Sequence, residues 1–172
     1  FGAIMAGCVL VPMNQRKSWA EMSHELELVE PAAILTDGED YGNKEKLEAA
    51  YGSLLHPMDD FRSYEPAAEL HPIGHDDLMV LMFTSGTTGR SKGVMLSQKN
   101  LFSAMPAFLD PFDDVKKYTG WNTDEFSSLS ALPMFHISAM TSLVSWSITG
   151  HSINLCNNLK YFYLDLGAMH SE

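Results

Sequence analysis

One stretch of the chain gathers residue types that act together on an anion: Phe83-Thr84-Ser85-Gly86-Thr87-Thr88-Gly89-Arg90-Ser91-Lys92-Gly93. Gly86, Gly89 and Gly93 let the backbone turn where a Cβ would forbid it, and they let a ligand come up against main-chain N–H groups. Successive N–H groups in such a turn make an anion-binding concavity. Thr84, Ser85, Thr87 and Thr88 add hydroxyls that can rotate towards anionic oxygens, and Arg90 and Lys92 add positive charge. These types together suit the holding of a phosphate chain. The spacing excludes two commoner phosphate loops: Gly93 stands where Gly-x-x-x-x-Gly-Lys-Ser/Thr needs a hydroxyl residue, and Gly-x-Gly-x-x-Gly is absent. A glycine-rich hairpin turn without a ligand is the plain alternative, but such turns need one or two glycines and neither the hydroxyls nor the cations.

The rest of the composition isolates this stretch. The 172 residues carry a formal net charge of -11, which argues against a nucleic-acid partner. From Thr84 to Asn100 the cations are Arg90, Lys92 and Lys99 and there is no acidic residue, so the stretch is a positive island in an acidic chain. A hydrophobic fraction of 45% and a charged fraction of 19% are those of a globular domain rather than a disordered one. Cys8 and Cys156 stand far apart in apolar surroundings, with neither a disulfide framework nor zinc spacing, which fits a reducing, cytoplasmic compartment. His71 and His75 are close together, but no cysteine or second pair accompanies them, so no zinc site is expected. No apolar run approaches a membrane span, and Phe1–Met13 lacks the charged start and cleavage site of a signal peptide.

The elements that must position the loop follow from pattern and punctuation. Cys8–Val11 reads as a short strand closed by Pro12. Ser18 with Glu21 forms a capping box ahead of Met22, Leu26 and Val29, which predicts a helix over Trp19–Val29 stopped by Pro31. Ala33–Thr36 reads as a strand, Asp37-Gly38 as a turn and Asn43–Leu55 as a helix. His56–Asp77 is loop-like, with one short strand near Phe61, and is the expected seam of the domain. Leu78–Phe83 is apolar without a break, as in a strand buried on both faces. Val94–Leu96 reads as a return strand, Gln98–Leu109 as a helix, Ser128–Leu132 as a strand, Ile137–Ile148 as an apolar helix and His151–Leu155 as a strand. The alternation predicts an α/β fold, with helices and strands around a largely parallel sheet. Phe1 falls in what reads as the middle of a helix, and Tyr161–Glu172 reads as a helix without a stop signal, so both ends are expected to be cut from a longer chain.

On these residues the chain resembles the adenylate-forming, or AMP-binding, superfamily, which includes acyl-CoA synthetases, luciferases and the adenylation domains of peptide synthetases. Thr84-Ser85-Gly86-Thr87-Thr88-Gly89-x-x-Lys92-Gly93 is similar to its phosphate-loop signature, with Ser91 where proline is usual. Phe1–Asn14 is similar to a helix-strand segment upstream of that loop, and Leu132-Pro133-Met134-Phe135-His136 to a downstream motif; the three occur in the family's order. Asn158-Leu159-Lys160-Tyr161 looks closest to bacterial long-chain acyl-CoA synthetases.

The resemblance implies that residues 1–172 are part of the large N-terminal domain of an ATP-dependent acid–CoA ligase. It further implies that Thr84, Ser85, Gly86, Thr87, Thr88, Gly89 and Lys92 bind the ATP phosphates, and that His136 borders the acyl chain and the adenylate as the candidate catalytic residue. The implied co-substrates are a small carboxylate, expected to be a fatty acid, and coenzyme A, with Mg²⁺ held by residues outside this segment. A fatty substrate would bring peripheral contact with a membrane. The Tyr-Gly-x-Thr-Glu and Tyr-Arg-Thr-Gly-Asp motifs and the late catalytic Lys of the family are absent, so the isolated chain is expected to be inactive. Two other parents fit the same residues: an adenylation domain that loads a carrier protein, and a catalytically inactive nucleotide-binding module.

Overall fold

The computed structural model describes residues 2–65, 69–84, 90–104, 117–118 and 127–155. Helix α1, Gly2–Met5, ends at Gly7, which takes a left-handed φ of 77°. The Gly7 N–H donates to the Ile4 carbonyl at 2.8 Å and the Cys8 N–H to the Ala3 carbonyl at 2.9 Å, the paired bonds of a Schellman motif. The strand expected over Cys8–Val11 is reduced to a single parallel bridge between Leu10 and Val80. In it the Leu10 N–H reaches the Met79 carbonyl and the Leu81 N–H reaches the Leu10 carbonyl. Pro12 has no N–H with which to carry the ladder further.

Helix α2, Trp19–Val29, forms where its capping box predicts. The Glu21 N–H donates to Ser18 Oγ at 3.4 Å, and the Ser18 N–H donates to Glu21 Oε2 at 3.1 Å. Glu30 closes the helix in a left-handed conformation, φ 44°, and Pro31 prevents its continuation. Replacing Ser18 by Ala is expected to lower stability by about 1 kcal/mol in urea unfolding. The Ser18 hydroxyl and the Ser18 backbone N–H hold the Glu21 carboxyl below its ordinary value. A folded pKa below the unfolded one means that the box stabilises fully above the unfolded value and loses that contribution as pH falls through the folded one.

Among the described residues two parallel βαβ units and one hairpin follow. Strand β1, Ile34–Thr36, leads through helix α3, Lys44–Tyr51, and a 3₁₀ turn, Gly52–Leu54, into strand β2, Leu55–Pro57. β2 lies parallel to β1, with Ile34 opposite Leu55 and Thr36 opposite Pro57. This corrects two expectations. The helix stops at Tyr51 rather than Leu55, because Gly52 is a poor helix residue and Leu55 is drawn into the ladder with Ile34. The short strand lies at Leu55–Pro57, not near Phe61, and Met58–Ser63 is a 3₁₀ helix.

Strand β3, Leu78–Thr84, pairs antiparallel with strand β4, Lys92–Ser97, as a hairpin. Ser97 and Asn100 then form a second capping box that starts helix α4, Gln98–Ser103; residues 105–109 of the helix expected there lie outside the described residues. Strand β5, Ser127–Ser130, helix α5, Ile137–Thr149, and strand β6, Ser152–Leu155, make a second parallel unit. Among the described residues the strands therefore form three two-stranded sheets, two parallel and one antiparallel. The helix expected over Tyr161–Glu172 and the segment Asn158–Tyr161 lie outside the described residues, as does Cys156.

The core surrounds β3. Val80, Met82, Leu101 and Met140 form its buried centre, with Ile4, Leu10, Leu96 and Val144 packed against them. Elements α1, β3, β4, α4 and α5 thus share one apolar contact region, and the strand that leads into the glycine-hydroxyl loop is its middle. Met82 and Met140 fill this core as flexible apolar side chains do, whereas Met95 points outward. Among the described residues no helix is long and apolar enough to cross a membrane.

Candidate functional site

The hairpin explains how the loop is presented. Val80 and Met82 are buried on β3, Phe83 is half-buried, and Thr84 then emerges exposed at its end. Lys92 opens β4 directly opposite Thr84, and the Thr84 hydroxyl donates to the Lys92 carbonyl at 3.4 Å. The two outer members of the predicted phosphate set therefore face each other where the loop leaves and re-enters the hairpin. Ser85, Gly86, Thr87, Thr88 and Gly89 lie outside the described residues. Gly93 sits opposite Phe83, and a Cβ there would lie 2.9 Å from Leu81 Cδ2, so the two strands close up just behind the loop.

Arg90, Lys92 and Lys99 are all exposed, and none of them is in an ion pair among the described residues. The positive island is therefore open to an anionic ligand. Among the described residues no group of three or more His, Cys, Asp and Glu is placed to hold a metal ion. The donor set at the hairpin end is hydroxyl and ammonium, which suits phosphate oxygens and not a divalent cation.

His136 caps α5 through its backbone. Its N–H donates to the Pro133 carbonyl at 2.9 Å, its carbonyl accepts from the Met140 N–H at 3.2 Å, and its φ and ψ of -98° and 142° are extended. Its imidazole is exposed and lies 4.8 Å, centroid to centroid, from the Phe135 ring. Exposed Leu132, Met134 and Ile137 make the surface around it apolar. Among the described residues no hydrogen bond or ring contact joins His136 to Thr84 or Lys92. A cavity of about 200 Å³ lies at the other end of β3, lined by Ile4, Gly7, Cys8, His71, Asp77 and Met79, and takes in none of the predicted site residues.

Sequence reasoning passed over two residues at the root of the loop. Glu25, on α2, is fully buried, and one of its carboxylate oxygens receives the Lys17 ammonium. That ammonium also lies 6.0 Å from the centre of the Phe83 ring. A signal was available: Glu25 lies between Met22 and Leu26 on the apolar stripe of α2, where an acid must find a partner.

Comparison with known proteins bears on the family and the fold. The chain is 32% identical over 157 residues to the 2-succinylbenzoate–CoA ligase of Bacillus licheniformis, covering 88% of this chain and 30% of the ligase. It is 27% identical over 162 residues to the long-chain-fatty-acid–CoA ligase FadD13 of Mycobacterium tuberculosis, covering 87% of this chain and 30% of that one. The chain thus spans less than a third of the length of these relatives. Its fold is that of the o-succinylbenzoate CoA synthetase (MenE) of Bacillus subtilis, solved in complex with its acyl-adenylate intermediate. That likeness has a TM-score of 0.78 at 23% identity and covers 98% of this chain and 42% of the other. The profile of the AMP-binding enzyme family matches residues 1–165, and the chain belongs to that family.

Proposed function

We propose that the protein carrying this chain is an ATP-dependent acid–CoA ligase, and that the β3–β4 loop holds the phosphates of ATP. The observation that carries the reading is Thr84 facing Lys92 across the mouth of a glycine-hydroxyl loop, in a chain of the AMP-binding enzyme family. In this reading the substrate carboxylate attacks the α-phosphorus. A carboxylate–phosphorus bond forms, and the bond to the leaving pyrophosphate breaks. The thiol of coenzyme A then attacks the acyl carbonyl and AMP departs. Thr84 and Lys92, with Ser85–Gly89, bind and orient the phosphate chain as pyrophosphate leaves. Mg²⁺, when bound, would neutralise phosphate charge.

His136 lies at the acyl side of the site in this reading. The exposed apolar residues Leu132, Met134 and Ile137 beside it support a carboxylate with an apolar tail, and a fatty acid is the substrate class proposed. The likeness to a long-chain-fatty-acid ligase supports the same class. A fatty substrate would draw the protein to membrane surfaces, and a cytoplasmic location suits its co-substrates.

The test is ATP–pyrophosphate exchange by the full-length protein with fatty and aromatic acids, followed by thioester formation with coenzyme A. Carboxylate-dependent exchange, largest with a fatty acid, is expected. Exchange driven best by an aromatic acid would replace the substrate class. Exchange without a coenzyme A thioester would point to a carrier protein as acceptor, and no exchange with any acid would overturn the ligase reading.

A further inference from the structure

We infer that Lys17, held by Glu25, is a positioning residue for the strand end that carries the phosphate loop. The observations come from three elements. Glu25 on α2 is fully buried, Lys17 is 19% exposed, and their charged groups are paired. The other carboxylate oxygen, Glu25 Oε2, has no hydrogen-bond partner among the described residues. The backbone of Lys17 is also fastened: its carbonyl accepts from Asn43 Nδ2 at 2.8 Å, and its N–H donates to the Asn14 carbonyl at 3.2 Å. The ammonium then lies 6.0 Å from the ring centre of Phe83, the residue before Thr84 on β3.

Stability alone does not account for this arrangement. Taking two charges out of water costs more than their attraction returns unless every remaining polar atom is satisfied, and apolar replacements of a buried pair are often as stable or more so. Here one carboxylate oxygen is left over. What the pair does achieve is to hold a cation at one place against an aromatic face, a contact that is directional and attractive. Phe83 is the last residue of β3 before the exposed Thr84. The Lys17 contact therefore steadies Phe83, one residue ahead of the Thr84–Lys92 pair that closes the hairpin. The middle of α2 and the end of β3 before Thr84 meet at the Lys17 ammonium, while Asn43, at the start of α3, holds the Lys17 backbone.

The consequence for ATP rests on the function proposed above, and the experiment separates the two. In the full-length protein, the charge-free double variant Lys17→Met/Glu25→Met is compared with Lys17→Met, Glu25→Gln and Lys17→Arg. The double variant leaves no unpaired buried charge, so it is expected to keep the wild-type unfolding midpoint even if the single variants fold poorly. It is expected to raise KM for ATP in pyrophosphate exchange about three- to thirtyfold, the range of a lost cation–aromatic contact, with kcat nearly unchanged. Amide hydrogen exchange at Met82–Thr84 should quicken, and Lys17→Arg should keep both values. A double variant with wild-type KM and wild-type exchange at Met82–Thr84 would overturn the inference. Hydrogen exchange needs no ATP, so it decides whether Lys17 positions the strand even in a protein that fails to activate any acid.

Discussion

Replacing Lys92 by Met in the full-length protein is expected to lower kcat/KM for ATP by about 10- to 150-fold, the loss of one charge-assisted hydrogen bond worth about 1.5–3 kcal/mol. Lys92 is exposed at the first position of β4 and has no ion-pair partner among the described residues, so its charge is free for an anion at the loop. For the same reason the unfolding midpoint should scarcely move, because exposed substitutions usually change stability by less than about 0.5 kcal/mol. Most of the loss is expected in KM, since a cation that holds the phosphates equally well before and during reaction contributes to binding and not to the chemical step. Lys92→Arg keeps the charge but changes its shape, and should recover part of the affinity. Steady-state kinetics with varied ATP decides the matter. An unchanged kcat/KM would remove Lys92 from the phosphate site, and a large fall in unfolding midpoint would mean that its role is structural.

Replacing Gly7 by Ala is expected to destabilise the protein by about 2–4 kcal/mol, the sum of a left-handed backbone penalty and an overpacking term. Gly7 holds φ at 77°, and an added Cβ would lie 2.6 Å from both Cδ2 and Cγ of the His71 ring. The ring cannot swing clear easily, because its own Cβ is 3.1 Å away and the His71 N–H is tied to the Met5 carbonyl at 3.0 Å. Gly38 supplies the control: its φ is 81°, but nothing lies within 4 Å of an added Cβ. Gly38→Ala should therefore lose only the backbone part, about 1 kcal/mol. Urea unfolding of both variants separates strain from clash. Equal losses at the two positions would mean that His71 does not pack on Gly7 in solution, and adding His71→Ala to Gly7→Ala should recover most of the difference.

Much of the fold could be read from neighbours along the chain. The capping box at Ser18 and Glu21, the apolar spacing of Met22 and Leu26 and the stop at Pro31 are all decided within a few residues, and α2 forms where they put it. The unbroken apolar run Leu78–Phe83 forms a strand, though it is buried on one face, at Val80 and Met82, and only half-buried on the other, where the run alone predicts burial on both; Gly150 ends α5 because a glycine adopts φ 75° without strain. The misplaced pieces are those decided at a distance. Helix α3 stops and β2 begins where Leu55 can pair with Ile34, a partner 21 positions away that no local pattern indicates.

The site divides in the same way. The proposal that the loop holds phosphate rests on residue types in succession, glycines, hydroxyls and cations, and such a list survives without a tertiary structure. That Thr84 and Lys92 stand opposite each other follows from strand register, which the buried faces of β3 set through its packing against α1, α4 and α5. That a buried glutamate on α2 should steady a lysine beneath Phe83 is a matter of tertiary structure alone. Residues 17, 25 and 83 are brought together only when the helix packs, and the desolvation that makes their pairing obligatory does not exist until then.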